Sequence, residues 1–149
     1  MAKIIKYDLF FPNPPEVVWE YLTDADLIAL WLMKNNFKPI LGYEFQVTTK
    51  PMPDIQFDGI FYCKVLAIEP LKSLSYSWHF GPGDGTLNTS VVDWTLTPLN
   101  NGTQLELIHR GFEGASFIDL FTGMSTGWPK QIQKLLLTIN PETDGTAKA

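Results

Sequence analysis

The sequence predicts an α+β fold: an antiparallel sheet of about six to seven strands wrapped around a long C-terminal helix, with two short helices after the first strand. Three observations carry this. Between Tyr43 and Arg110 the chain mostly alternates apolar and polar residues, broken by Gly- and Pro-containing turns, as half-buried antiparallel strands do. Near the C-terminus, Trp128, Ile132, Leu135, Leu136 and Ile139 fall on one helical face, with Lys130, Gln131, Gln133 and Lys134 on the other. Each side chain in that stripe stabilises by roughly 1.5–3 kcal/mol when buried, so the stripe needs a cover, and the sheet supplies it. Asn13-Pro14-Pro15-Glu16, directly after an alternating segment, has the composition of a helix start.

Taken in order, Lys3 to Phe11 places Ile5, Tyr7, Leu9 and Phe11 on one side of a first strand. Asn13 is expected to cap a helix ending near Thr23, and Asp24 a second short helix through Trp31. Gly42 opens a run of strands. Phe45 and Val47 share a phase, as do Phe61, Cys63 and Val65, and then Leu74, Tyr76, Trp78 and Phe80. The loop with glycines at 81, 83 and 85 joins neighbouring strands. A phosphate-binding loop would need Lys-Ser/Thr after its second glycine and a helix behind it. Val92, Trp94 and Leu96 lead to Asn100-Asn101-Gly102, a hairpin turn requiring positive φ, and on to Leu105, Leu107 and His109. Gly111 to Gly123 reads as an apolar loop. Pro129 either marks a late helix start, with Ser125 or Thr126 as cap, or kinks the helix.

With 149 residues, the chain is long enough for one domain with a substantial core. Residues 1–140 read as that domain and 141–149 as a disordered tail. The net charge of −5 and the scatter of eleven basic residues argue against nucleic-acid binding, which needs clustered Lys and Arg. Cys63 stands alone, so neither a disulfide framework nor a thiolate metal site is expected, and a reducing, cytoplasmic location fits. Two distant histidines supply no metal-ligand spacing. No stretch reaches the ~20 apolar residues of a membrane span, and the N-terminus lacks the apolar core of a signal peptide.

Several segments resemble one known family. Pro15-Glu16-Val17-Val18-Trp19 leading to Leu22-Thr23-Asp24 and Leu30-Trp31 is similar to its first two helices. Gly59-Ile60-Phe61 with Val65-Leu66-Ile68-Glu69-Pro70, and Leu74-Ser75-Tyr76-Ser77-Trp78, looks like its central hairpin. Gly102 to Phe112 is similar to its penultimate motif, and Gly127-Trp128 with Leu135 to its last helix. Together they resemble the activator-of-Hsp90-ATPase-like group of the START/Bet v 1-like, helix-grip superfamily. The resemblance implies a sheet gripping the C-terminal helix around a cavity, and a hydrophobic small molecule as partner. A chaperone partner follows from the family name by analogy only. No cofactor is implied.

The inward phase then collects Phe45, Phe61, Val65, Tyr76, Trp78, Trp94, Leu107 and His109 from the strands, with Trp128, Ile132 and Leu135 from the helix. Two readings satisfy that set: an aromatic-lined ligand pocket, or a core in which these side chains pack on one another. His109 is the sharpest candidate for chemistry. A buried imidazole can orient a ligand or, with Tyr76, serve as acid and base in a cyclase- or hydratase-type enzyme. It can equally be a structural histidine. His79, at the opposite phase, is expected to face solvent, and Cys63 to be an inert small hydrophobe.

Overall fold

The structure, a computed structural model, describes residues 3–141. The expected tail from 141 onward therefore lies almost wholly outside the described residues. Among the described residues, seven strands form one antiparallel sheet in the order β1-β7-β6-β5-β4-β3-β2. The strands are β1 (Ile5–Phe11), β2 (Lys34–Asn35), β3 (Glu44–Thr48), β4 (Ile60–Glu69), β5 (Ser73–Ser77), β6 (Thr89–Leu99) and β7 (Gly102–Glu113). Helices α1 (Pro15–Thr23) and α2 (Ala25–Trp31) follow β1, and α3 (Phe117–Ile139) packs against the curled sheet.

Local chemistry explains most boundaries. Asp24 Oδ1 accepts from the backbone N–H groups of Asp26 and Leu27, so it caps α2 as expected. Asn13 does not cap α1, whose N-cap is Pro14 without a side-chain bond. Its amide instead pairs reciprocally with that of Asn140, at 3.0 and 2.7 Å, tying the start of α1 to the end of α3. Asn100 and Asn101 take φ of 48° and 63°, the geometry the β6–β7 turn requires. A bulge between Val65 and Ala67 in β4 breaks the alternation there, leaving Leu66 exposed.

The Gly111–Gly123 segment differs from the sequence expectation. β7 runs to Glu113 and α3 begins at Phe117, so the loop is three residues and Pro129 lies inside the helix. Phe117, Leu120, Phe121 and Met124 continue the stripe of Trp128 at helical spacing, and burial of Leu120 holds the early turns in place. Phe112 and Phe121 meet edge to face at 5.3 Å, which accounts for the apolar character of that segment.

Candidate functional site

Every inward side chain singled out above is buried: Phe45, Phe61, Val65, Tyr76, Trp78, Trp94, Leu107 and His109 on the sheet, and Trp128, Ile132 and Leu135 on α3. They pack on one another. Trp94 meets Trp128 edge to face at 5.5 Å, Trp78 lies 5.5 Å from Trp128, and Phe61 stacks on Trp78 at 4.5 Å. Phe45 stands perpendicular to Tyr76 at 5.3 Å.

His109 sits at the centre of a polar chain. Trp128 Nε1 lies 3.0 Å from His109 Nδ1, and an indole N–H can only donate, so Nδ1 is the acceptor. The ring proton therefore resides on Nε2, donating to Ser90 Oγ at 2.7 Å, and the Ser90 hydroxyl donates to the Trp78 carbonyl at 2.6 Å. Burial pushes this imidazole down to about 3, with the Asp93 carboxylate only partly opposing. A neutral ring with both nitrogens occupied has no free lone pair with which to take a proton.

Tyr76 is held separately. Its phenol accepts from Trp94 Nε1 at 2.8 Å, and burial pushes its proton affinity up. Val92 stands between the two groups in the cross-strand row Tyr76–Val92–His109. Two strand spacings, roughly 10 Å, thus separate them. The structure does not bring them to one reacting atom. Trp78 Nε1, fully buried, has no acceptor among the described residues, an arrangement that costs about 1–3 kcal/mol.

A cavity of about 220 Å³ opens at the other end of α3. Helix α3 contributes Asp119, Leu120, Gly123 and Met124; the β3–β4 connection contributes Met52, Ile55 and Phe57. Thr49, Phe61, Phe80 and Met33 complete the lining. The connection is shaped by a Met52–Phe57 bridge and a 3-10 turn at Pro53–Ile55, which carry its apolar side chains over the opening. Gly59, with φ of +91°, starts the return strand where a Cβ would stand 2.8 Å from the Thr49 carbonyl.

Of the side chains read from the sequence, Phe61 borders this cavity, and Trp78 backs Phe61. The remaining inward residues lie in the packed interior. The methionines, Phe57, Asp119 and Gly123 carried no signal because they come from separate segments of the chain and share no period. His79 is half-buried on the outer face, bridged to Tyr62, and burial lowers its proton affinity. Cys63 is buried, which pushes its thiol well up. A hollow of about 340 Å³ between Tyr62 and the 83–87 loop also lies on that outer face, away from α3. Among the described residues no group of three His, Cys, Asp or Glu side chains could hold a metal ion, and no helix is long and apolar enough to cross a membrane.

The order of elements and the gripped helix have counterparts elsewhere. The profile of the Activator of Hsp90 ATPase homolog 1-like proteins matches residues 12–139. The chain belongs to this family. The match bears out the resemblance carried by the motifs at 15–31, 59–78, 102–112 and 127–135. Among solved structures, the protein MLL2253 of Mesorhizobium loti is 34% identical, over 93% of this chain and 98% of its own, with a TM-score of 0.80. BH1534 of Bacillus halodurans is 26% identical, over 91% and 97%, with a TM-score of 0.69. The Aha1 dimer of Colwellia psychrerythraea shares the fold at 16% identity, over 95% and 98%, with a TM-score of 0.71. Among curated protein sequences nothing matches. Membership of the Activator of Hsp90 ATPase homolog 1-like family is compatible with a ligand-binding domain and names no ligand.

Proposed function

We propose that this protein binds a small apolar or aromatic molecule, without covalent chemistry, in the cavity between the N-terminal half of α3 and the Phe57–Phe61–Phe80 end of the sheet. The observation that carries this reading is the composition of the lining, three phenyl rings and three thioethers around about 220 Å³. A dry cavity of ~150 Å³ admits benzene, and sites for drug-sized ligands span ~300–1,000 Å³. The cavity therefore suits a single ring with a short chain. Methionine side chains adapt to the shape of a guest, which widens the range accepted. In this reading Phe61 touches the ligand. Phe45, Val65, Tyr76, Trp78, Trp94, Leu107, His109, Trp128, Ile132 and Leu135 form the rigid wall behind it.

Gly123 provides the test. It lines the cavity, and nothing lies within 4 Å of where a Cβ would stand. Gly123→Leu should occupy the space while relieving a helix penalty of about 1 kcal/mol, so the fold is retained and its midpoint temperature is not lowered. Affinity for a neutral probe, 4-phenylbutan-1-ol, should fall on the order of tenfold to a hundredfold, the loss expected when burial of a ring is denied. Unchanged affinity in a folded Gly123→Leu variant would place the probe elsewhere and end the proposal.

A further inference from the structure

We infer that the ligand is an organic cation, a lipophilic amine whose apolar body fills the cavity and whose ammonium group meets Asp119. This rests on the binding site proposed above and names its chemical class. Among the described residues Asp119 is the only ionisable side chain in the lining. Its carboxylate makes no ion pair or side-chain hydrogen bond among the described residues, whose ion pairs are Lys6–Glu106, Lys72–Glu69 and Arg110–Asp93.

The walls favour the same charge. Phe57, Phe61 and Phe80 pack on one another, 4.8 Å from Phe57 to Phe61 and 5.7 Å from Phe57 to Phe80, and bring no hydrogen-bond donor to the wall. Thioethers accept hydrogen bonds weakly and donate none, so among the described residues Thr49 is the only side chain in the lining with a proton to offer. Lys34 and Lys50 adjoin lining residues in sequence but are exposed and outside the lining. The partial positive charge at the start of α3 would attract an anion, and Asp119, in the first turn, answers it. The net charge of −5 adds a field that draws in cations and repels carboxylates. A fatty or aromatic acid of the same shape would meet like charge at the rim and a single hydroxyl within.

Three probes of one shape separate these terms: 4-phenylbutylamine, 4-phenylbutan-1-ol and 4-phenylbutyrate, titrated calorimetrically into the full chain at neutral pH and low salt. Asp119 is exposed, so the amine should bind about two- to fivefold more tightly than the alcohol, and the carboxylate most weakly. Asp119→Asn should bring amine and alcohol together and strengthen the carboxylate, and added salt should narrow the wild-type gap. Equal binding of all three by the wild type, a carboxylate that binds tightest, or an amine preference that survives Asp119→Asn overturns the inference. The alcohol reports on the cavity separately: where it still binds in any of those cases, the cavity reading stands. Failure of all three to bind the wild type removes both.

Discussion

The two halves of α3 rest on the same sheet in different ways. Toward its C-terminus the helix seats Trp128, Ile132 and Leu135 on the strands, each no more than 1% exposed. Large flat rings fill that half, and hydrogen bonds lock them: Trp128 to His109, Trp94 to Tyr76. Toward its N-terminus the helix offers Leu120, Gly123 and Met124, and about 220 Å³ remains between them and the phenyl rings opposite. Gly123 adds no volume, and a thioether imposes no fixed shape. A rigid, polar-linked half thus anchors the helix, and the other half stands off the sheet without collapsing onto it. Pro129, which gives up one helical hydrogen bond, lies one residue past Trp128, within the anchored part.

Stability measurements should show the contrast most strongly. Trp128→Ala is expected to cost about 3–5 kcal/mol in urea unfolding, through lost packing and a His109 Nδ1 left without its donor. Met124→Ala, half-buried beside a cavity, should cost less than about 2 kcal/mol. Similar costs at the two positions would erase the distinction between the halves.

A smaller effect belongs to the locked half alone. The buried His109 binds its proton more weakly than in the unfolded chain, where its ordinary value is 6.5. Its contribution to stability is complete above 6.5 and is lost progressively as the pH falls toward about 3. His79, also lowered by burial, carries the same sign, so the comparison is best made in a His79→Gln background. Between pH 6.5 and 5, stability there should fall by up to roughly 1.4 kcal/mol per pH unit. Adding His109→Gln should remove that slope. A slope that persists would mean His109 is not buried neutral.

The locked half was largely legible in the sequence. Alternation along Leu74, Tyr76 and Trp78, and along Leu105, Leu107 and His109, gives their inward phase directly, because side chains on a strand repeat every two residues. The turn at Asn100–Asn101 and the cap at Asp24 were equally plain, since both rest on local backbone chemistry. The open half was not. Gly123, Gly127 and Pro129 are poor helix formers, and they masked the spacing of Phe117, Leu120, Phe121 and Met124 that continues in phase with Trp128. The role of Asn13 depends on Asn140, at the far end of the chain, which no local pattern reveals. A cavity is a difference between side-chain volumes drawn from distant segments. Met33, Met52 and Met124 share no period, and only their convergence in space creates it.

That convergence also supplies the most direct test. With 13C-methyl-labelled methionine and 15N-labelled indoles, titration of 4-phenylbutylamine into the full chain should shift the methyl resonances of Met33, Met52 and Met124 together. The indole N–H resonances of Trp94 and Trp128, in the locked half, should stay in place. Movement of those two indoles with the methionine methyls unmoved, or no movement in either set, would contradict a ligand site at the open end of the helix.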